Sequence, residues 1–592
     1  MMSGTLSGSI RWREWSTQAF EDAKAANKPI LLDISAVWCH WCHVMDRTSY
    51  SDPEVIRLVN ELYVPIRVES DTRPDINARY NQGGWPTTAF LTPTGELVHG
   101  ATFVPPEQMR RLLVEVNRVY HQSRATIQAK ADELRRQQST RRPHAVPPAI
   151  PEGTLEEIVH AIEHNFDPEH GGFGTEPKFP APDAIDFALE RHVTTGDPHL
   201  LEIVTRTLDG MMGLYDRIDG GFHRYSVSVD WTVPHYEKML EINAELAVSY
   251  ARGYAVTGDE RYAEIARGAI TYMLGALHDD AGGFYGSQDA DVGSHAEGAE
   301  FVTGEDYFPL SREERARIGT PHVDKTVYSG WNGMSITALV EAHRELGEAL
   351  YLAEAEKTAD MLLKAGADPE GALWRMVGNS AGPAGLLADQ AYVARGLLDV
   401  HEATGNPRFL DGAKRVVAYV QKHLFDAEGG GFFDIPEGES GLGSLSERQK
   451  SLVENSVMAQ VLLRLHGLTG EERYHSEAEL TLRAFAGRHR AHGFFGAAYG
   501  QAVEMLLRPV RAAVIGPETE PATEALWRAT YRAFSLGAVR RRLVPGRDDA
   551  AISALWYPLD TVATAHLCAG KMCRTTTDPN EAAAILRHKG AP

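Results

Sequence analysis

Cysteine is scarce: Cys39, Cys42, Cys568 and Cys573 are the four in a chain of 592 residues. Four cannot scaffold a chain of this length, so cysteine chemistry has to be local to each pair. Basic residues are short too, with 59 Lys and Arg against 81 Asp and Glu, a formal charge of -22. Such a field repels phosphate backbones and anionic lipid surfaces, which excludes nucleic acid and membranes as expected partners. No apolar run reaches the roughly 18 residues of a membrane span. Residues 1–10 lack the basic stretch and apolar run of a secretory signal, so the expected location is the cytoplasm. What is present is ordinary: 43% hydrophobic and 24% charged residues, the balance of folded domains rather than of disorder. The length calls for at least two hydrophobic cores.

Residues 16–27 predict a helix, and the apolar run 29–34 predicts a buried strand. Directly after it stands Trp38-Cys39-His40-Trp41-Cys42-His43. Further strands are expected at 63–68, 87–91 and 96–99, the last two as a hairpin around Pro93-Thr94-Gly95, then a long polar helix over 106–138. This order is thioredoxin-like. It puts Cys39 at a helix N-terminus, where free backbone N–H groups and the helix dipole favour thiolate. Cys39 is then the attacking sulfur and Cys42 the resolving one, with His40 adding positive charge beside Cys39. Trp85-Pro86-Thr87, before a strand, predicts a cis proline, with Trp85 and Pro86 as an edge for a substrate peptide. Other chemistries share these residues. Cys-x-x-Cys-His also attaches c-type haem, which needs export, and zinc through Cys39, Cys42, His40 and His43 would want a second pair, met only if Cys568 and Cys573 fold back. A purely structural pair is a third alternative. No cofactor and no metal is the expectation.

Arg141-Arg142-Pro143 and Pro147-Pro148 to Pro151 cannot continue a helix, so a linker is expected over 141–153, after a first domain 1–140. Beyond it the chain repeats. A Thr-Gly turn, a helix and a Gly-Gly-Phe turn recur at 195–222, 257–284 and 404–432, and at 469–494 with Gly493-Phe494 at the end, with a degenerate copy at 346–373 and an incomplete one ending at Phe173. Six helical hairpins over 154–508 predict an (α/α)6 barrel, because ring closure removes the terminal faces that an open solenoid must cap.

The loops after these turns leave from one end of the hairpins, so the residues where they enter the next helix are expected to ring a cavity. They are His223, Arg224, Tyr225, Trp231, His235, Tyr236 and Glu237, then Asp289 and Asp291 with Glu297 and Glu300, then Trp331, Asn332, Asp389, Gln390, Tyr392, Glu454, Asn455 and Tyr499. Aromatic faces stack on sugar rings while carboxylates and histidines exchange protons, which makes His235, Glu237, Asp289 and Asp291 the acid/base candidates. Asp and Asn are also ordinary helix caps, and Trp331 also suits plain packing.

Residues 511–515, 541–544 and 561–568 read as strands and 520–534 as a helix, a small α/β segment over 509–592. The four-residue spacing between Cys568 and Cys573 fits neither zinc nor a redox motif, so buried free thiols are expected. The fold class is thus α+β multidomain.

The chain resembles the spermatogenesis-associated thioredoxin-like family. The resemblance is carried by Cys39-His-Trp-Cys-His-Val-Met45, Arg73-Pro-Asp-Ile76, Gly83-Gly-Trp-Pro-Thr87, Asp219-Gly-Gly-Phe-His-Arg-Tyr225, Val233-Pro-His-Tyr-Glu-Lys-Met-Leu240 and Ser329-Gly-Trp-Asn-Gly333. It implies a thioredoxin-like domain joined to a six-hairpin, glycosidase-like barrel with sugar epimerases and glycoside hydrolases among its relatives. One departure is Glu241-Ile242-Asn243-Ala244, where the family tends to place an acid at position 242. Two functions follow as expectations. One is dithiol exchange at Cys39/Cys42 with a carbohydrate-active barrel (epimerase, isomerase or glycosidase-like), whose ligands are a sugar or other small molecule and a protein thiol. The other is a barrel that only binds or scaffolds, with the first domain as redox switch or thiol chaperone.

Overall fold

The computed structural model describes residues 8–139, 147–295, 298–380, 382–438, 441–559, 562–570 and 572–587. Of the expected features, Arg141, Arg142, Pro143, Glu297 and Thr561 lie outside the described residues. The chain forms two compact units. The first comprises Met1–Pro143, Gln288–Asp324 and Ile435–Gln449; the second comprises His144–Ser287, Lys325–Asp434 and Lys450–Pro592. The hairpin repeat predicts one continuous barrel over 154–508, whereas two of its interhelical segments belong to the first unit. Among the described residues no helix is long and apolar enough to cross a membrane.

In the first unit the strands are β1 (Ile30–Ser35), β2 (Val64–Glu69), β3 (Thr87–Leu91) and β4 (Leu97–Ala101), and the helices are α1 (Thr17–Ala26), α2 (His40–Arg47), α3 (Pro53–Leu62), α4 (Pro74–Tyr80) and α5 (Pro106–Ser139). The sheet order is β2-β1-β3-β4. β1 is parallel to β2 with Ile30 opposite Val64, and antiparallel to β3 with Leu31 opposite Phe90. The parallel pair needs a crossover, which α2 and α3 supply. β1 and β3 are central, and all their residues but Ser35 are buried, as strands covered on both faces are; Leu31, Met45, Val55, Val59, Phe90, Met109 and Leu113 share one core cluster.

In the second unit six inner helices, Pro182–Thr195, Leu240–Thr257, Ser329–Leu346, Leu387–Thr404, Leu452–Thr469 and Ala497–Leu507, each pack on the next and the last packs on the first. Six outer helices, from Thr154–Asn165 to Glu472–Arg483, back them. The ring is closed, an (α/α)6 barrel. Five inner helices end on a left-handed glycine, Gly196, Gly258, Gly347, Gly405 and Gly470. These are the Thr-Gly, or at 347 the Leu-Gly, positions of the repeat, and glycine is there because the cap needs positive φ.

The Gly-Gly-Phe turns are held by buried or half-buried side chains of the following segment. Asn243, Asn332 and Asn455 each accept the N–H of the turn phenylalanine at 2.7 Å and donate back to its carbonyl. Lys178, Lys238 and Lys450 bind the turn aspartate, Asp167, Asp216 and Asp426, at 2.5, 2.7 and 2.7 Å. The ammonium also reaches a turn glycine carbonyl in each case. A buried amide with all its hydrogen bonds made is worth keeping, and one left half-made is costly.

After the barrel, Val510–Ile515 lies between parallel Val539–Leu543 and antiparallel Thr564–Ala569, which pairs with Met572–Thr576. Strand order and directions repeat those of the first unit's sheet, with the helix Pro521–Arg532 in the crossover. Cys568 and Cys573 are not buried free thiols. They are opposite each other on the hairpin, Cα atoms 4.1 Å apart, and disulfide-bonded, with Cys573 exposed. Four intervening residues are what two strands joined by a two-residue turn require at the second pair back from the turn.

Removing one clamp tests this account of the barrel. Asn455→Ala leaves the Phe432 N–H and carbonyl unpaired inside the protein, and is expected to cost about 2–4 kcal/mol, read as a lowered thermal midpoint by calorimetry. An unchanged midpoint would contradict the structural role.

Candidate functional site

Cys39 is the N-cap of α2, and its Sγ accepts the Cys42 N–H at 3.2 Å. Cys39 and Cys42 form a disulfide with Cα atoms 5.2 Å apart, and both are nearly inaccessible, 4% and 3% exposed. The Trp85-Pro86 peptide is cis, as the sequence predicts. The Trp85 ring meets Trp38 edge-on at 5.5 Å, and Trp38 Nε1 donates to Asp71 at 2.7 Å. Six residues before Cys39, on β1, Asp33 is buried against Tyr50 and Arg67. Burial raises its pKa to about 6, with Arg67 opposing. Glu69, at the end of β2, is pushed to about 8 by burial and then by the neighbouring charge of Asp71.

The two histidines of the motif are held by carboxylates from the segment Gln288–Asp324 of the same unit. His40 Nδ1 lies 2.7 Å from Asp291 Oδ2, and His43 Nε2 lies 2.9 Å from Asp289 Oδ2. The second contact is shared, because His295 Nε2 is also 2.9 Å from Asp289 Oδ2. Burial alone would raise Asp289; the hydrogen bonds from His295 and His43 outweigh it and hold the carboxyl well below the usual range. The same bond raises His295, while burial and the charge of His295 lower His322, whose ring is 4.1 Å away. The sequence suggests Asp289 and Asp291 as barrel acids. The structure places them instead against the cysteine helix, which they reach from about 250 residues along the chain.

The barrel residues divide into three sets. His235, Glu237 and Tyr225 come together: His235 Nδ1 is 3.2 Å from Glu237 Oε1, the His235 ring stacks on Tyr225 at 4.4 Å, and Glu237 Oε2 is buried without a hydrogen-bond partner. His223 and Arg224 are bound to the backbone here, His223 Nδ1 to the Tyr236 carbonyl and the Arg224 N–H to the His235 carbonyl. A second set is structural. Asn332 and Asn455 are turn clamps, Asp389 is buried in an ion pair with Arg375 at 2.8 Å, and Trp331 packs on Tyr328 at 4.7 Å. Trp231 is 1% exposed and lies so close to Gly172, Gly210 and Gly213 that a Cβ at any of them would collide with it. Tyr499 is buried and donates to the Leu482 carbonyl. The third set is Gln390, Tyr392 and Glu454, near the barrel interior; both amide atoms of Gln390 and Oε2 of Glu454 are buried and unpartnered, and Arg395 lies over the Tyr392 ring at 4.8 Å.

None of these residues lines the cavity inside the barrel. It has a volume of about 130 Å³ and is lined by a second rank of charged groups, among them Asp183, Asp186, Glu245, Arg252, Glu341, Arg344, Arg395, Glu402, Arg464 and Glu504, with Tyr531 and Arg540 of the C-terminal segment. Sequence reasoning missed them. The available signal was a polar stripe at spacings of three and four on helices otherwise apolar, as in Asp183, Asp186 and Glu190 or Thr337, Glu341 and Arg344. Burial and the charges of Asp183 and Glu241 raise Glu245 to about 8, and burial raises Asp186 to about 6. Glu341 goes the other way, to about 2, because Arg252 and Arg344 outweigh its burial.

Glu245 therefore keeps its proton, folded, over the range from 4.5 to about 8 in which the unfolded chain releases it. Native protein binds more protons there, so stability falls as pH rises through that window. Glu245→Gln removes the titration. Its thermal midpoint is expected to match wild type near pH 4.5 and to exceed it at pH 8.5, by the equivalent of about 2–4 kcal/mol. A difference independent of pH would contradict the assignment.

The profile of the family described as Thioredox_DsbH, a protein of unknown function (DUF255), matches residues 3–139. Spermatogenesis-associated protein 20 of Homo sapiens is 27% identical, across 98% of this chain and 90% of its own. The Rattus norvegicus protein of the same name is 28% identical across 81% of this chain and 76% of its own. Among solved structures, a sugar epimerase from a ruminal bacterium has a TM-score of 0.44 at 13% identity, over 56% of this chain and 84% of that one. A D-mannose isomerase has 0.45 at 12%, over 60% and 96%. The chain thus carries a thioredoxin-like domain over residues 3–139 and is similar, along nearly its whole length, to the human spermatogenesis-associated protein 20.

Proposed function

We propose that the chain is a thiol–disulfide exchange protein acting through Cys39 and Cys42, with the barrel as a binding module for a small polar, sugar-like ligand. The observation that carries the first part is Cys39 as N-cap of α2, already bonded to the cysteine one turn on. In the reduced pair the Cys39 thiolate attacks a substrate disulfide and one substrate sulfur leaves as thiolate. Cys42 thiolate then attacks Cys39, releasing the second substrate sulfur and forming the Cys39–Cys42 bond. The substrate gains two electrons and the pair loses two.

For the barrel, paired carboxylates support proton exchange with a polyhydroxylated ligand, Glu245 as the protonated member and Asp183 as its neighbour. The His235–Glu237 pair is a second acid/base candidate. A cavity of about 130 Å³, with Tyr531 the aromatic among its lining residues, is below the roughly 300 Å³ of pockets for drug-sized ligands and limits the occupant to a small one such as a monosaccharide.

Trapping tests the exchange step. Reduced Cys42→Ser, in a Cys568→Ser/Cys573→Ser background and mixed with glutathione disulfide, is expected to retain one glutathione on Cys39 by peptide mass spectrometry. Wild type at these two positions should resolve it, and Cys39→Ser should carry none. Absence of an adduct on Cys39 would overturn the proposal.

A further inference from the structure

We infer that His43, Asp289 and His295 form a binding site for a divalent cation of the zinc class, one residue beyond the Cys39–Cys42 pair. One ligating atom from each of the three lies within 4.8 Å of the others, and His43 Nε2 and His295 Nε2 are each 2.9 Å from Asp289 Oδ2. Two imidazole nitrogens and one carboxylate oxygen are donors that suit Zn(II), and the same set takes Co(II), Ni(II) and Cu(II). The inference does not depend on dithiol exchange and uses neither sulfur.

Asp289 is oriented as a metal-binding carboxylate is. Its Oδ1 accepts the Asp291 N–H at 3.1 Å and its Oδ2 accepts the Ser294 hydroxyl at 2.7 Å, which leaves Oδ2 facing both imidazoles. Supporting hydrogen bonds of this kind fix a ligand's direction and strengthen it. With the two rings, three groups converge on Oδ2, one more than its two lone-pair directions serve well. A cation between the rings relieves this, since each nitrogen then gives its lone pair to the metal and Oδ2 is shared between the metal and Ser294. The rival occupant is a proton on each ring, which turns the same contacts into hydrogen bonds. The Val37 carbonyl, 3.1 Å from His295 Nε2, is a further acceptor for such a proton.

Three protein ligands leave one position of a tetrahedral ion for water or substrate, the arrangement of reactive rather than purely structural zinc. An opening is present. His43 and His295 both line a pocket of about 320 Å³ whose walls also include Glu69, Arg47 and Arg67. A ligand bringing a carbonyl, carboxylate or hydroxyl oxygen would meet the cation at one end and the guanidinium groups at the other.

The test uses the full chain in its oxidised form, where no thiolate is available, stripped with chelator and titrated with ZnCl2 by calorimetry and with CoCl2 by visible absorption. Expected is one equivalent bound, a cobalt spectrum without sulfur charge-transfer absorption, affinity weakened at least about tenfold by His295→Gln, Asp289→Asn and Ser294→Ala, and unchanged affinity in Cys39→Ser/Cys42→Ser. Ser294→Ala and the wild-type cobalt spectrum keep the test decisive if a ligand variant misfolds. No stoichiometric binding, binding unaffected by these changes, or a sulfur band lost with the cysteines would overturn the inference.

Discussion

Buried charge must be paired, and much of this molecule is arranged around that constraint. A carboxylate taken out of water without a partner costs several kcal/mol. In the first unit Asp289 and Asp291 are each 1% exposed at the side chain and each meets an imidazole of the cysteine helix. That pairing ties α2, whose first residue follows Cys39, to a segment from far along the chain. In the barrel the Lys–Asp pairs and Asn clamps do the equivalent work at the turns. Removing either member of such a pair leaves the other as the liability, which is why these positions read as polar and conspicuous in the sequence whether or not they touch a ligand.

That ambiguity explains what could and could not be read from the residues. The thioredoxin-like order of elements was legible because 29–34 and 87–91 are mostly apolar or β-branched runs of strand length and Cys-x-x-Cys stands between the first strand and a helix. The barrel was legible because Thr-Gly and Gly-Gly-Phe recur at the two backbone positions where positive φ is required. The chemistry around α2 was not legible. Asp289 and His295 are separated from His43 by 246 and 252 positions, and nothing local marks a segment between two barrel helices as belonging to the other unit. Asn332 and Asn455 misled for a different reason: a buried clamp and a substrate ligand use the same side chain. Lys238 and Asn243, and again Lys450 and Asn455, are five apart, a spacing that in hindsight marks the clamp.

The barrel interior shows the limit of reasoning from loop ends. Asp183, Glu245 and Arg395 lie inside the ring on helices whose other faces are apolar, so periodicity alone scores them as interruptions. The C-terminal segment repeats the sheet order of the first unit, yet its cysteines lie on the strand hairpin rather than at a helix N-terminus. One topology therefore carries two differently placed disulfides, and only Cys39 has a helix dipole to stabilise a thiolate.

The central claim is that Cys39 and Cys42 exchange electrons rather than merely cross-link. Equilibrating the chain against glutathione and dithiothreitol buffers, with the state of Cys39 and Cys42 read by alkylation and peptide mass, measures this directly. The account predicts a reversible two-electron transition between about -120 and -270 mV, the span of thioredoxin-like pairs. A pair that stays oxidised below about -300 mV, as structural disulfides do, would contradict it.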